Sequence, residues 1–181
     1  MDDEIIQEFN ERLSLANMNV SELLGYEPSV GKVLLYLSMV AALDCSDAED
    51  PEAAVETDKD VIANITELAI GRGFDFGKES SLEFEDPKLN DDEWLELFLD
   101  AQGFLDDLIE AHTKEFGKDT DEELNLAYNE VGNSIVYMCA VLCARCKDRD
   151  KALNYVKENI PSVYRFITEE CSLVPRDSVE S

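Results

Sequence analysis

The chain alternates between stretches with a helical period and short segments that break it. Ile5, Ile6, Phe9, Leu13 and Ala16 recur at three- and four-residue spacing, which places them on one stripe of a helix over residues 2–16. Ser21-Glu22-Leu23-Leu24 reads as a short further turn, stopped by Gly25 and Pro28. Ser29 is positioned to cap a second helix reaching about Leu43. That helix is apolar on most faces, the pattern of an element at the centre of a core. Thr57 is the expected cap of the next helix, with Val61, Ile62, Ile65, Leu68 and Ala69 as its stripe and Gly71 and Gly73 as its stop; Pro51 marks another possible helix start upstream.

Residues 74–90 carry no helical stripe and contain turn signals at Gly77 and Asp86-Pro87. The segment Ser81-Leu82-Glu83-Phe84-Glu85 alternates like a strand, but one strand alone has no partner in a helical chain. Asn90 or Asp91 is expected to cap a long helix containing Trp94, Phe98, Leu105 and Ile109 and ending near Gly117. Thr120 and Glu123 form a capping-box pattern for a helix with Leu124, Val131, Ile135 and Met138, which runs to about Lys147. Two shorter helices are expected near 149–159 and 161–172, the second with Pro161 in its first turn. The sum is an all-α bundle of about six to eight helices. Its expected organisation is an N-terminal half over 1–73, a loop over 74–90, a C-terminal half over 91–172 and a frayed tail over 173–181.

Charge changes this picture most. The 181 residues contain 42 acids and 15 bases, a formal charge of −27. Self-repulsion of that size costs stability, so it calls for a reason. It excludes a general electrostatic footprint for nucleic acid or for an anionic membrane. Lys is not depleted relative to Arg, and Ile, Phe and Asn are plentiful, which argues against salt adaptation. The start, MDDEIIQEF, lacks the basic region of a secretory leader, and the longest apolar run, 33–43, is too short to span a bilayer. A cytoplasmic, reducing location is expected.

Three cysteines, Cys139, Cys143 and Cys146, have the C-x3-C-x2-C spacing that holds an iron–sulfur cluster in radical enzymes. Those enzymes place the motif on a loop of a β/α barrel. Here the spacing falls inside a helix, where offsets 0, 4 and 7 make a core stripe, so the cysteines are read as packing and no cofactor is implied. His112 is the single histidine and has no carboxylate four residues away. No phosphate loop, nucleophile elbow or zinc spacing occurs.

Asp107 and Glu110 stand at i, i+3 on one helix, and Glu130 and Asn133 at i, i+3 on the next. Together with EVGNSIVYMCAVL and DKALNYVKENI, this resembles the MazG-like all-α nucleoside triphosphate pyrophosphohydrolases over residues 95–165. Asp107 stands where that family has Glu, and Asn133 where it has Asp. The resemblance implies Mg²⁺ held by Asp107, Glu110, Glu130 and Asn133, with Lys147, Arg149 and Lys151 as candidates to meet a triphosphate. It is the alternative to the leading reading.

The leading reading is a non-enzymatic protein-interaction module. Its acidic surface would bind a basic, nucleic-acid-binding protein partner, as inhibitors and nucleic-acid mimics of the anti-restriction, anti-CRISPR or toxin-antidote kind do. The expected contact residues are Glu83, Glu85, Asp86, Asp91, Asp92 and Glu96, with Trp94 as an anchor. The apolar faces of 33–43 and 131–143 offer a third possibility, an adaptor or a homodimer held by those faces.

Overall fold

The structure is a computed structural model that describes residues 2–77 and 81–170. The described residues form six helices: α1 (Asp3–Tyr26), α2 (Val30–Ser46), α3 (Pro51–Gly71), α4 (Asp91–Phe116), α5 (Asp121–Arg145) and α6 (Arg149–Glu169). Each begins at a residue whose side chain accepts a hydrogen bond from a backbone N–H of the first turn: Asp2, Ser29, Asp50, Asn90, Thr120 and Asp148. Such caps stabilise a helix by about 1 kcal/mol each. Three of the six are acids, so part of the acidic excess is structural.

α2 is the axle. Thirteen of its 17 residues are buried, and it packs against all five other helices. α1 and α3 pack on α5 as well as on α2, and α4 and α6 pack on both α2 and α5. One hydrophobic cluster draws residues from every helix, so the helices before and after the 74–90 loop share a single core. Each fully buried Leu, such as Leu34, Leu37 and Leu142, contributes roughly 1.5–3 kcal/mol of transfer free energy. Val33, Leu34 and Leu37, and Val131, Ile135 and Met138, are buried in this core. The two apolar faces read as adaptor or dimer surfaces are therefore occupied within one chain.

Three helix boundaries differ from the sequence expectation, for one reason. α1 does not stop at residue 16, because Leu13, Ala16 and Val20 continue one buried stripe and neither Asn19 nor Ser21 forbids the helical backbone. α3 runs through Thr57 from Pro51, because Val55 extends the stripe of Ile62, Ile65 and Ala69 by two turns. α6 is one helix with Pro161 inside it. An interior proline costs about 3 kcal/mol, and burial of Ile160 and Val163 on either side offsets it. The end of α3 follows expectation: Gly73 takes φ 70°, and the N–H groups of Gly73 and Phe74 donate to Ile70 O and Ala69 O at 3.0 Å, a Schellman closure. The tail over 173–181 lies outside the described residues.

The alternating segment does find a partner. Leu82 N–H donates to Arg145 O (2.8 Å) and Lys147 N–H donates to Leu82 O (2.9 Å), an isolated parallel bridge at the end of α5. Phe84 is buried, its ring 5.0 Å from that of Tyr155. The carbonyl of Glu85 lies where a Cβ on Gly31 would be, so only glycine at position 31 lets the loop lie on the start of α2.

Candidate functional site

The alternation of the loop sorts its side chains. Leu82 and Phe84 face inward, so Glu83, Glu85 and Asp86 are exposed. Glu83 is 3.8 Å from Lys147. Asp91 and Asp92 occupy the first turn of α4, exposed, at the end of the helix where a negative charge is favoured. Glu96 follows one turn later, also exposed. The expected acids are thus all exposed, on the loop and on the first two turns of α4. Trp94 is half-buried rather than presented: it stacks on Phe98 (5.6 Å, 8°) and meets Phe166 edge-on (4.8 Å). It fixes α4 against α6.

Beside Glu96 lies a groove of about 690 Å³, walled by the end of α1, the start of α2 and the middle of α4. Its floor is apolar and aromatic: Leu23, Val33, Tyr36, Leu97 and Phe104. Tyr36 and Phe104 meet edge-on at 5.5 Å. Tyr26 and Leu99 stand at the rim, 84% and 57% exposed. Its carboxylates are Glu27, Glu93, Glu96, Asp100 and Asp107, and its one cation is Lys32, which pairs with Glu27 at 3.3 Å. Glu93 is engaged in the Asn90 capping box. The Tyr36 hydroxyl donates to the Asp100 carbonyl (3.4 Å), and burial, followed by the charges of Asp100 and Asp107, pushes its pKa up to about 12. Sequence reading missed the groove because its walls come from three helices distant in the chain.

The four residues of the alternative metal reading are distributed differently. Asp107 lines the α2–α4 groove. Glu110 is exposed and pairs with Lys114 at 3.2 Å. Glu130 accepts a two-pronged bond from Arg12, 2.8 and 3.0 Å. Arg12 holds the Glu130 carboxyl below its ordinary pKa. This pair sits in a second cavity of about 320 Å³ between α1, α4 and α5, with His112 and Tyr137. His112 Nδ1 is buried there without a hydrogen-bond partner among the described residues, with the Glu115 carboxylate 3.8 Å away. Lys147, Arg149 and Lys151 gather with Asp148 and Asp150 at the α5–α6 corner, where Asp148 already caps α6. Fifteen residues separate Glu130 from Arg145, the last of α5, which is about 22 Å along the helix. Among the described residues, no group of three or more His, Cys, Asp or Glu side chains is placed to share a metal ion.

Cys139, Cys143 and Cys146 are buried, as is Cys45. Burial raises the pKa of each thiol, that of Cys146 to about 12, so they pack as neutral groups. Cys45 Sγ donates to Asp58 Oδ2 at 3.2 Å. Burial raises Asp58 to about 6, and burial together with the charge of Asp58 raises Asp44 to about 7. Arg145 is buried at the end of α5 and donates to Asn17 Oδ1 (3.1 Å) and Ser21 Oγ (2.9 Å). No periodicity in the sequence marks the buried Asp44, Asp58 and Arg145.

No family model, no curated protein and no solved structure matches the chain. No described helix is long and apolar enough to cross a membrane.

Proposed function

We propose that this protein is a non-enzymatic interaction module whose acidic surface binds a basic, nucleic-acid-binding protein, as an inhibitor or nucleic-acid mimic does. The observation that carries the reading is the run of exposed carboxylates from Glu83 through Glu85, Asp86, Asp91 and Asp92 to Glu96, held on a capped helix and an anchored loop. A net charge of −27 attracts a cationic protein from solution, and the fixed carboxylates supply the close contacts. The engagement of Glu130 by Arg12 supports this reading over Mg²⁺-dependent hydrolysis, since a metal would have to displace a partly buried ion pair.

The test is calorimetric titration against a panel of basic nucleic-acid-binding proteins at low and moderate salt. Binding should weaken at least about tenfold between about 50 and 300 mM salt, as the Debye length shortens. Replacing Asp91, Asp92 and Glu96 together by Asn, Asn and Gln should weaken it further, while Glu130→Gln should not. Absence of binding to every member at low salt, or binding that salt does not change, would refute the proposal.

A further inference from the structure

Glu96, the last of the proposed contact acids, also lines a feature that a plain charged face lacks: a groove with an apolar floor. On α4 the residues facing it follow the spacing 96, 100, 103, 107, one straight stripe along the helix. Three are carboxylates, Glu96, Asp100 and Asp107, exposed and with no cation paired to them among the described residues. The fourth is Gly103. A Cβ there would meet nothing within 4 Å, so no packing among the described residues requires glycine. Glycine in a helix interior costs about 1 kcal/mol relative to alanine. A side chain is missing from the middle of the acidic stripe, and the notch opens onto Tyr36 and Phe104.

We infer that this groove seats a basic amphipathic helix of the protein partner, an inference that rests on the interaction role proposed above and names its site. The chemistry of the occupant follows from the groove. Lysine or arginine side chains meet Glu96, Asp100 and Asp107. An apolar side chain enters at Gly103 and rests on Phe104 and Tyr36. Tyr26 and Leu99, exposed at the rim, close over its flanks. The stripe from Glu96 to Asp107 is about 16 Å long, the span of three turns of a bound helix read from i to i+11. A small polyamine satisfies the carboxylates but not the apolar floor.

The experiment uses the full chain and a synthetic Leu/Lys amphipathic peptide of about 18 residues, with a permuted peptide of the same composition as the control and spermine as the small cation. The amphipathic peptide should bind at least about tenfold tighter than either control. Gly103→Leu fills the notch with a good helix former; it should keep or raise thermal stability while weakening the peptide at least about tenfold. Gln102→Leu, one residue around the helix and outside the groove, should leave binding unchanged. Asp100→Asn should weaken the peptide and reduce its salt dependence. Equal affinity for the two peptides, or unchanged binding by a folded Gly103→Leu protein, overturns the inference. If basic proteins then still bind with salt dependence, the acidic surface stands without the groove. If they do not bind either, both readings fail.

Discussion

Asp44→Asn should stabilise the fold strongly above neutral pH and progressively less below it. Asp44 lies in the last turn of α2, where the helix dipole disfavours an anion. It faces α5, with its Oδ2 3.4 Å from the position of a Cβ on Gly132, and it feels the charge of Asp58 from α3. Burial first, and then Asp58 and Asp47, raise its pKa from 3.8 to about 7. At about 1.4 kcal/mol per tenfold change in proton affinity, that is roughly 4 kcal/mol of folded-state preference for the neutral acid. The sign follows by linkage: the contribution is fully present below the unfolded value of 3.8 and is lost as pH rises through about 7. At about pH 8 the wild type carries the whole penalty, and Asn, a neutral group of the same shape, should gain about 2–4 kcal/mol. Near pH 5 the gain should fall below about 2 kcal/mol, and near pH 3.5 it should vanish. Urea unfolding followed by circular dichroism, at constant ionic strength, measures the difference at each pH. The background repulsion of 26 other net charges is common to both proteins and cancels. An equal effect at pH 8 and pH 5, or a loss of stability at pH 8, would refute the argument.

Glu130→Gln should have the opposite pH dependence. Its folded pKa is lowered by Arg12, so the loss, about 1–3 kcal/mol near neutrality, should fade as pH falls below 4.5, read by the same unfolding assay. Gly31→Ala should cost about 1–3 kcal/mol and expose the segment around Glu85 to limited proteolysis, because the new Cβ meets the Glu85 backbone; an unchanged melting temperature and cleavage pattern would contradict the contact. In a Cys171→Ser protein, Ellman's reagent should find no fast thiol until the chain unfolds, since Cys45, Cys139, Cys143 and Cys146 are buried and held neutral.

The sequence by itself determined the class of fold and most helix ends. Ser29, Asn90 and Thr120 carry local cap chemistry, and Gly73 and Gly117 take positive φ. These are decided within a few residues, so they are legible in one dimension. The apolar character of α2 announced its central place, and helical spacing correctly assigned Cys139 and Cys143 to the core; Cys146 is buried too, but as the extended residue that caps α5 rather than within the helix. The acids of the loop and of the start of α4 are exposed.

What the tertiary structure decided were the matters that depend on pairs distant in the chain. Burial of Val20, of Val55, and of Ile160 beside Pro161 carried three helices through positions where local signals suggested a boundary, because packing on α2 and α5 outweighs a weak propensity. Only the end of α5 could give Leu82 its backbone partner. Only the meeting of α1 with α5 could turn Glu130 toward Arg12, 118 residues away, and only the approach of α2 to α4 could make a groove from an acidic stripe and two aromatic rings. A charge count records how many carboxylates the chain has. Which of them cap a helix, bind an arginine or remain facing solvent is set by what the fold brings within a few ångströms of each.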